Sequence, residues 1–135
     1  MYIDAMAEAC KLFDAEWSLT PIVYPNAPMP AIPSTGQYAG HYIRVYGGST
    51  TVESELSTEK RKLDQGIITI DIHCPDGSAY ITSGELATEA AKIIDARYYG
   101  GVQFGTAAIN RNAGFWPDGT NVTRIEVDYV CDYSY

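Results

Sequence analysis

From Gln65 to Gly77 the chain alternates between apolar and polar positions. Ile68, Ile70, Ile72 and Cys74 fall on one side of an extended strand, and Ile67, Thr69, Asp71 and His73 on the other. β-Branched residues dominate the run and suit a pleated surface with one buried face. Pro75-Asp76-Gly77 then supplies turn chemistry. At the N-terminus the period is different. Ile3, Met6, Ala7, Cys10, Phe13 and Trp17 recur at helical spacing, which predicts an amphipathic helix of about fourteen residues. Asp4, Glu8, Lys11 and Glu16 lie off that stripe.

Thr20-Pro21 ends the helix, and Ile22 to Tyr24 form a short extended segment. Four prolines between Pro25 and Gly36 predict a stiff surface connection. His41 to Tyr46 alternates again, with Ile43 and Val45 opposite Tyr42, Arg44 and Tyr46. Gly47-Gly48 reads as a turn into a further strand, Ser49 to Leu56. Thr82 with Glu85 has capping-box spacing and opens a second helix, whose face carries Leu86, Ala87, Ala90, Ile93, Ile94 and Arg97. Gly100-Gly101 is the expected left-handed stop. Two alternating runs follow, from Val102 and from Val122 to Asp132, separated by Pro117-Asp118-Gly119, and they predict a long hairpin.

The order is α-β-β-β-β-α-β-β, with no linker to divide it, so residues 1–135 form a single domain. The expected fold class is α+β: two helices packed on one face of a mostly antiparallel sheet of about five to six strands. The opposite face carries Arg44, Thr69, Asp71, His73, Glu126 and Asp128. It is too polar for a second core and is expected to meet water or a partner.

Composition sharpens this picture at three points. A net charge of −8 and a pI near 4.5 argue against a protein that wraps nucleic acid. Eleven tyrosines against three phenylalanines give many amphipathic side chains suited to interfaces as well as to a half-buried sheet. Three widely spaced cysteines, Cys10, Cys74 and Cys131, form no CxxC pair and read as buried free thiols. The N-terminal stretch lacks the pattern of a secretory signal, and no run has the length of a membrane span, so a soluble intracellular product with no membrane partner is expected.

Candidate chemistry is sparse. There is no G-x-S-x-G, and His41 and His73 have no spaced acid or thiol to complete a triad. His73 and Cys74 point to opposite strand faces and cannot share a metal. The glycines at 100, 101 and 105 follow a helix where a phosphate loop would precede one. Glu126/Asp128 and Glu53/Glu55 each share a strand face but read as solvated acids. The expectation is a protein with no catalytic residues, cofactor or metal. The run Lys60-Arg61-Lys62, at the end of a Thr/Ser/Glu-rich loop from Gly47, is the only cationic cluster. That loop is a candidate arm, with Glu53, Glu55, Lys60, Arg61 and Lys62 as candidate subunit or partner contacts.

The block Trp17 and Thr20-Pro21-Ile22-Val23-Tyr24-Pro25-Asn26-Ala27-Pro28 follows an N-terminal helix. After it come the strand Gly66 to Pro75, the helix Leu86 to Tyr98, and Gly114-Phe115-Trp116-Pro117-Asp118-Gly119 before the last strand. In these residues the chain resembles, over nearly its whole length, the tail terminator proteins of long-tailed bacteriophages. Ser78-Ala79-Tyr80 departs from the glycines that often follow the post-strand proline in that family. The resemblance implies a six-fold homo-oligomeric ring at the head-proximal end of the tail tube, made in the host cytoplasm and incorporated in the virion. Such a ring stops tube polymerisation and joins the tail tube protein to a head connector while DNA passes through its bore. Asp71, Glu126 and Asp128 are the candidate bore-facing acids, since an acidic bore repels phosphates and lets DNA slide. A collar or other tail-completion component is the alternative, and a small hydrolase or ligand-binding domain a more distant one.

Overall fold

The computed structural model describes residues 2–53, 61–75, 80–115 and 119–134. In chain order it contains α1 (Ala5–Glu16), β1 (Ile22–Val23), β2 (Tyr42–Glu53), β3 (Arg61–Cys74), α2 (Tyr80–Ile94), β4 (Tyr98–Tyr99), β5 (Val102–Phe115) and β6 (Asn121–Ser134). The strands form one sheet in the order β1-β2-β3-β6-β5-β4. The α+β class holds, but the sheet is mixed: β1 runs parallel to β2, and every other pairing is antiparallel.

Among the described residues three strands precede α2 and three follow it, where four and two are expected. The short β4 is the additional strand after α2, and the strand missing before it is explained at Gly47-Gly48. These residues do not turn; β2 runs straight through them, paired with Ile68 and Ile67 of β3. Gly47 is needed for packing instead. A Cβ there would stand 2.4 Å from the Ile67 carbonyl oxygen and 2.9 Å from Met6 Cε, so glycine lets α1 lie close to the sheet. The expected loop from Gly47 to Lys62 is therefore mostly sheet. Gly47 to Glu53 belong to β2, and Arg61 and Lys62 open β3 opposite Ser134 and Tyr133.

Asp4 caps α1 by accepting from the Ala7 amide at 3.2 Å. The helix buries Ala5, Ala9, Leu12 and Phe13, whereas Met6 and Cys10 sit half-buried at the margin. The buried stripe is thus turned from the expected one, because the two alanines allow backbone close to sheet. Trp17 closes the helix, and its indole N–H donates to Thr20 Oγ1 at 3.0 Å. Pro21 then accepts from the Ile43 amide at 3.1 Å. Much of the Trp17–Val23 block therefore works locally to lock α1 to the sheet edge.

α2 is already helical at Tyr80, so Thr82 lies inside it and does not cap it; the Ser83 hydroxyl donates back to the Tyr80 carbonyl at 3.0 Å. Its C-terminus is also built differently from expectation. Ala96, at φ 51°, takes the left-handed position, while Gly100 and Gly101 form the two-residue turn between β4 and β5. The Ala96 amide donates to the Gly105 carbonyl at 2.8 Å, and Asp95 Oδ1 accepts from the Ala107 amide at 2.7 Å. These bonds seat the helix end on a bulge in β5 between Phe104 and Ala107. The bulge shifts the alternation, so that Ala107 and not Thr106 packs against the core.

Ile43, Val45, Ile68, Ile70, Ile72, Ile125 and Val127 form the sheet side of the core and meet Leu12, Phe13, Leu86 and Ile94 from the helices. Cys10 and Cys131 border this core as free thiols, and burial, reinforced by Asp4, pushes both up to about 11 from 9.0. A folded-state value above the unfolded one favours the folded chain below pH 9 and loses that contribution as pH rises toward 11. Replacing both thiols by serine is therefore expected to flatten the alkaline fall in stability between those limits. Urea midpoints at neutral and high pH check this; identical pH dependence in both proteins would show that the thiols do not contribute.

Candidate assembly surfaces

The sheet face away from the helices is polar, as expected, yet much of it is closed. Register places Arg44, Asp71, Arg124 and Asn110 in one row across β2, β3, β6 and β5, and Tyr46, Thr69, Glu126 and Ala108 in the next. Asp71 is completely buried. Its carboxylate receives two bonds from one guanidinium, Arg124 Nε to Oδ1 at 2.9 Å and Nη2 to Oδ2 at 3.2 Å, plus the Tyr46 hydroxyl to Oδ2 at 2.9 Å. This forked geometry holds planar charge against planar charge. Burial, then the hydrogen bond to the Asp71 carboxylate, raises the Tyr46 phenol above its ordinary value, and the same carboxylate raises the Arg124 guanidinium.

Asp71 is consequently not a bare acid facing solvent: its charge is spent inside the chain. Glu126 and Asp128, two further residues assigned to a bore surface, are exposed on this face. Beside them lies an open groove of about 690 Å³, bordered by Tyr46, Gly48, Gly66, Ile67, Thr69 and Arg124. Among the proposed partner contacts, Glu53 ends β2 opposite Lys62, and Arg61 and Lys62 are strand residues. Glu55 and Lys60 lie outside the described residues.

At the other end of the sheet, His73 is wholly buried and stacks on Tyr42, the ring centroids 4.4 Å apart and the planes 7° from parallel. Its Nδ1 lies 2.9 Å from Thr120 Oγ1. His41 is also buried, with Nδ1 3.0 Å from the Ala39 carbonyl oxygen. Both histidines are thus enclosed in the packing of the sheet end. On the flank of the sheet, Arg111 lies over the Tyr80 ring at 3.6 Å and donates to Ser83 Oγ at 2.9 Å, tying β5 to the start of α2. Sequence patterning missed this contact and the Asp71–Arg124–Tyr46 cluster, because each joins residues distant in the chain. Among the described residues no group of three or more metal-binding side chains converges, and no helix is long and apolar enough to cross a membrane.

The fold defines a small α+β chain in which two helices pack on a mixed sheet dominated by four long strands. No protein-family description matches the chain, and no curated protein sequence does. Solved structures do share the fold. One, bearing only a sequence identifier, matches with a TM-score of 0.61 and 15% identity, over 93% of this chain and 87% of its own. Another belongs to the virion of a native gene transfer agent particle, with a TM-score of 0.51 and 14% identity over 97% of this chain and 95% of that one. At such identities the likeness is one of fold.

Proposed function

We propose that this chain is a structural virion protein of a phage-like particle that forms a ring at the head-proximal end of the tail tube. There it halts tube polymerisation and joins the tube to the head connector. The observation that carries the proposal is the end-to-end fold likeness to a chain of a gene transfer agent virion, which meets the tail-terminator resemblance of the Trp17–Pro28 block and the final hairpin. The acidic surface at Glu126 and Asp128 suits a bore through which DNA passes without adhering. Partners are other copies of the chain, the tail tube protein and the connector; the ring is six-fold by resemblance to the terminators. No catalysis is assigned to it.

The expected result is that purified protein caps or shortens growing tail tubes, and that particles lacking it carry overlong or headless tails. Electron microscopy of tubes assembled with and without the protein checks this. Tubes of normal, defined length in its absence would eliminate the terminator role and leave a collar or adaptor component.

A further inference from the structure

Among the described residues, both outer strands of the long sheet are mostly open along their outward edges. β1 covers β2 only at Ile43 and Arg44, leaving nine residues from Val45 to Glu53 with no further strand beside them among the described residues. β4 covers β5 only at Val102 and Gln103; beyond the first bulge, Ala107 to Phe115 have no outer strand among the described residues, although Asp95 takes the Ala107 amide and a second register shift against β6 falls between Asn110 and Gly114. Neither run contains the proline or lysine that commonly guards an exposed edge. Ile109 is 44% exposed on one of them. Gly48 lies on the other, and a Cβ there would meet nothing within 4 Å, so the single chain does not demand glycine at that position. Glycine inside a strand often marks close approach of another backbone.

We propose that the Val45–Glu53 edge of one copy pairs with the Ala107–Phe115 edge of the next, making the ring one continuous sheet; this deepens the ring reading above and rests on it. Three geometric facts favour a second copy as the occupant. First, β2, β3, β6 and β5 alternate in direction, so a rotation about a ring axis brings β2 beside an oppositely directed β5. The new ladder is antiparallel. Second, aligning the two runs end to end sets Thr51 opposite Ile109 and Val52 opposite Ala108. By register, position 51 is level with Cys131 and Ile109 with Ile125, and Cys131 and Ile125 are both buried on the helix side. Position 52 and Ala108 are level with Asp132 and Glu126, so the two runs are in phase; a one-residue slip would mismatch them. Third, β1 and β4 cover opposite ends of the sheet. The open run of β2 is level with Ile125–Tyr133 of β6, and that of β5 with Val127–Asn121. Matching them shifts successive copies by about 16 Å along the strands for every ~19 Å of sheet width. Strands so staggered tilt by about 40° from the ring axis, within the range at which sheets close into barrels.

The test is disulfide trapping of the full chain carrying Thr51→Cys and Ile109→Cys together, with each single variant and the parent as controls. The two positions lie on opposite edges of one sheet, too far apart to join within a chain. Oxidation is expected to give a ladder of covalent multimers on a non-reducing gel in the double variant alone, with light scattering showing the parent as a closed oligomer. A monomeric parent, or a double variant no better trapped than the singles, overturns the proposal. Dimers from Thr51→Cys alone also overturn it, by showing two-fold β2–β2 pairing. If tubes are capped but no ladder forms, edge pairing fails and the terminator role stands. A ladder without capping sinks that role and leaves the pairing.

Discussion

Truncating Phe13 to alanine is expected to destabilise the chain by about 3–5 kcal/mol, the range for removing a fully buried aromatic side chain. Phe13 has no exposed surface and lies in the cluster that joins α1 to the sheet, with Ile43, Val45, Ile70 and Ile72. Ile43, Ile70 and Ile72 sit in strands laddered on both sides, so they cannot collapse into the space. Ile70→Ala, at the centre of β3, belongs to the same class at about 2–5 kcal/mol. Urea unfolding is the measurement, and with a slope of ~1.5 kcal/mol per molar the Phe13 midpoint falls by about 2 M or more. An unchanged midpoint for both variants would show that α1 does not bury its face on this sheet.

Replacing Arg124 by methionine is expected to cost about 2–4 kcal/mol. Asp71 has no exposed surface, and the change leaves its carboxylate with the Tyr46 hydroxyl as the remaining bond described here. Removing one partner of a buried pair strands the other charge in a poorly solvating site. The figure is set below the full range for such pairs because the Arg124 side chain is 30% exposed, so water screens part of the interaction. Adding Asp71→Asn to the same chain removes the stranded charge and is expected to recover about half or more of the loss, giving a coupling of ~1–3 kcal/mol in a double-mutant cycle. Additive effects of the two changes would show that the pair behaves as an ordinary surface contact.

The two helices, the central strand and the final hairpin are legible in the sequence because each is a local pattern. The Ile68–Cys74 alternation and the Val122–Asp132 alternation have the period of a strand buried on one face, and burial at Ile70, Ile72, Ile125 and Val127 agrees. Signals that depend on what lies opposite were misread. Gly47-Gly48 has turn chemistry, but Met6 and the Ile67 carbonyl demand glycine inside a straight strand. Gly100-Gly101 looks like a helix stop, yet the helix ends earlier because β5 offers hydrogen-bond partners to Asp95 and Ala96. The helical spacing through Met6, Ala7, Cys10 and Phe13 leaves out Ala5, Ala9 and Leu12, which the helix buries together with Phe13.

The candidate surface divides in the same way. Alternation alone assigns Glu126 and Asp128 to the polar face, and the structure leaves them exposed there. Asp71 has the same alternation and a different fate, since Arg124 and Tyr46 come from two other strands to enclose it. Sequence by itself determined the periods, hence which residues share a face and which elements exist. Only the tertiary structure decided which polar groups meet each other and which strand edges stay open among the described residues. Periodicity acts through neighbours a few residues apart, whereas charge pairing and sheet edges depend on strands brought together across tens of residues, whose register no local pattern encodes.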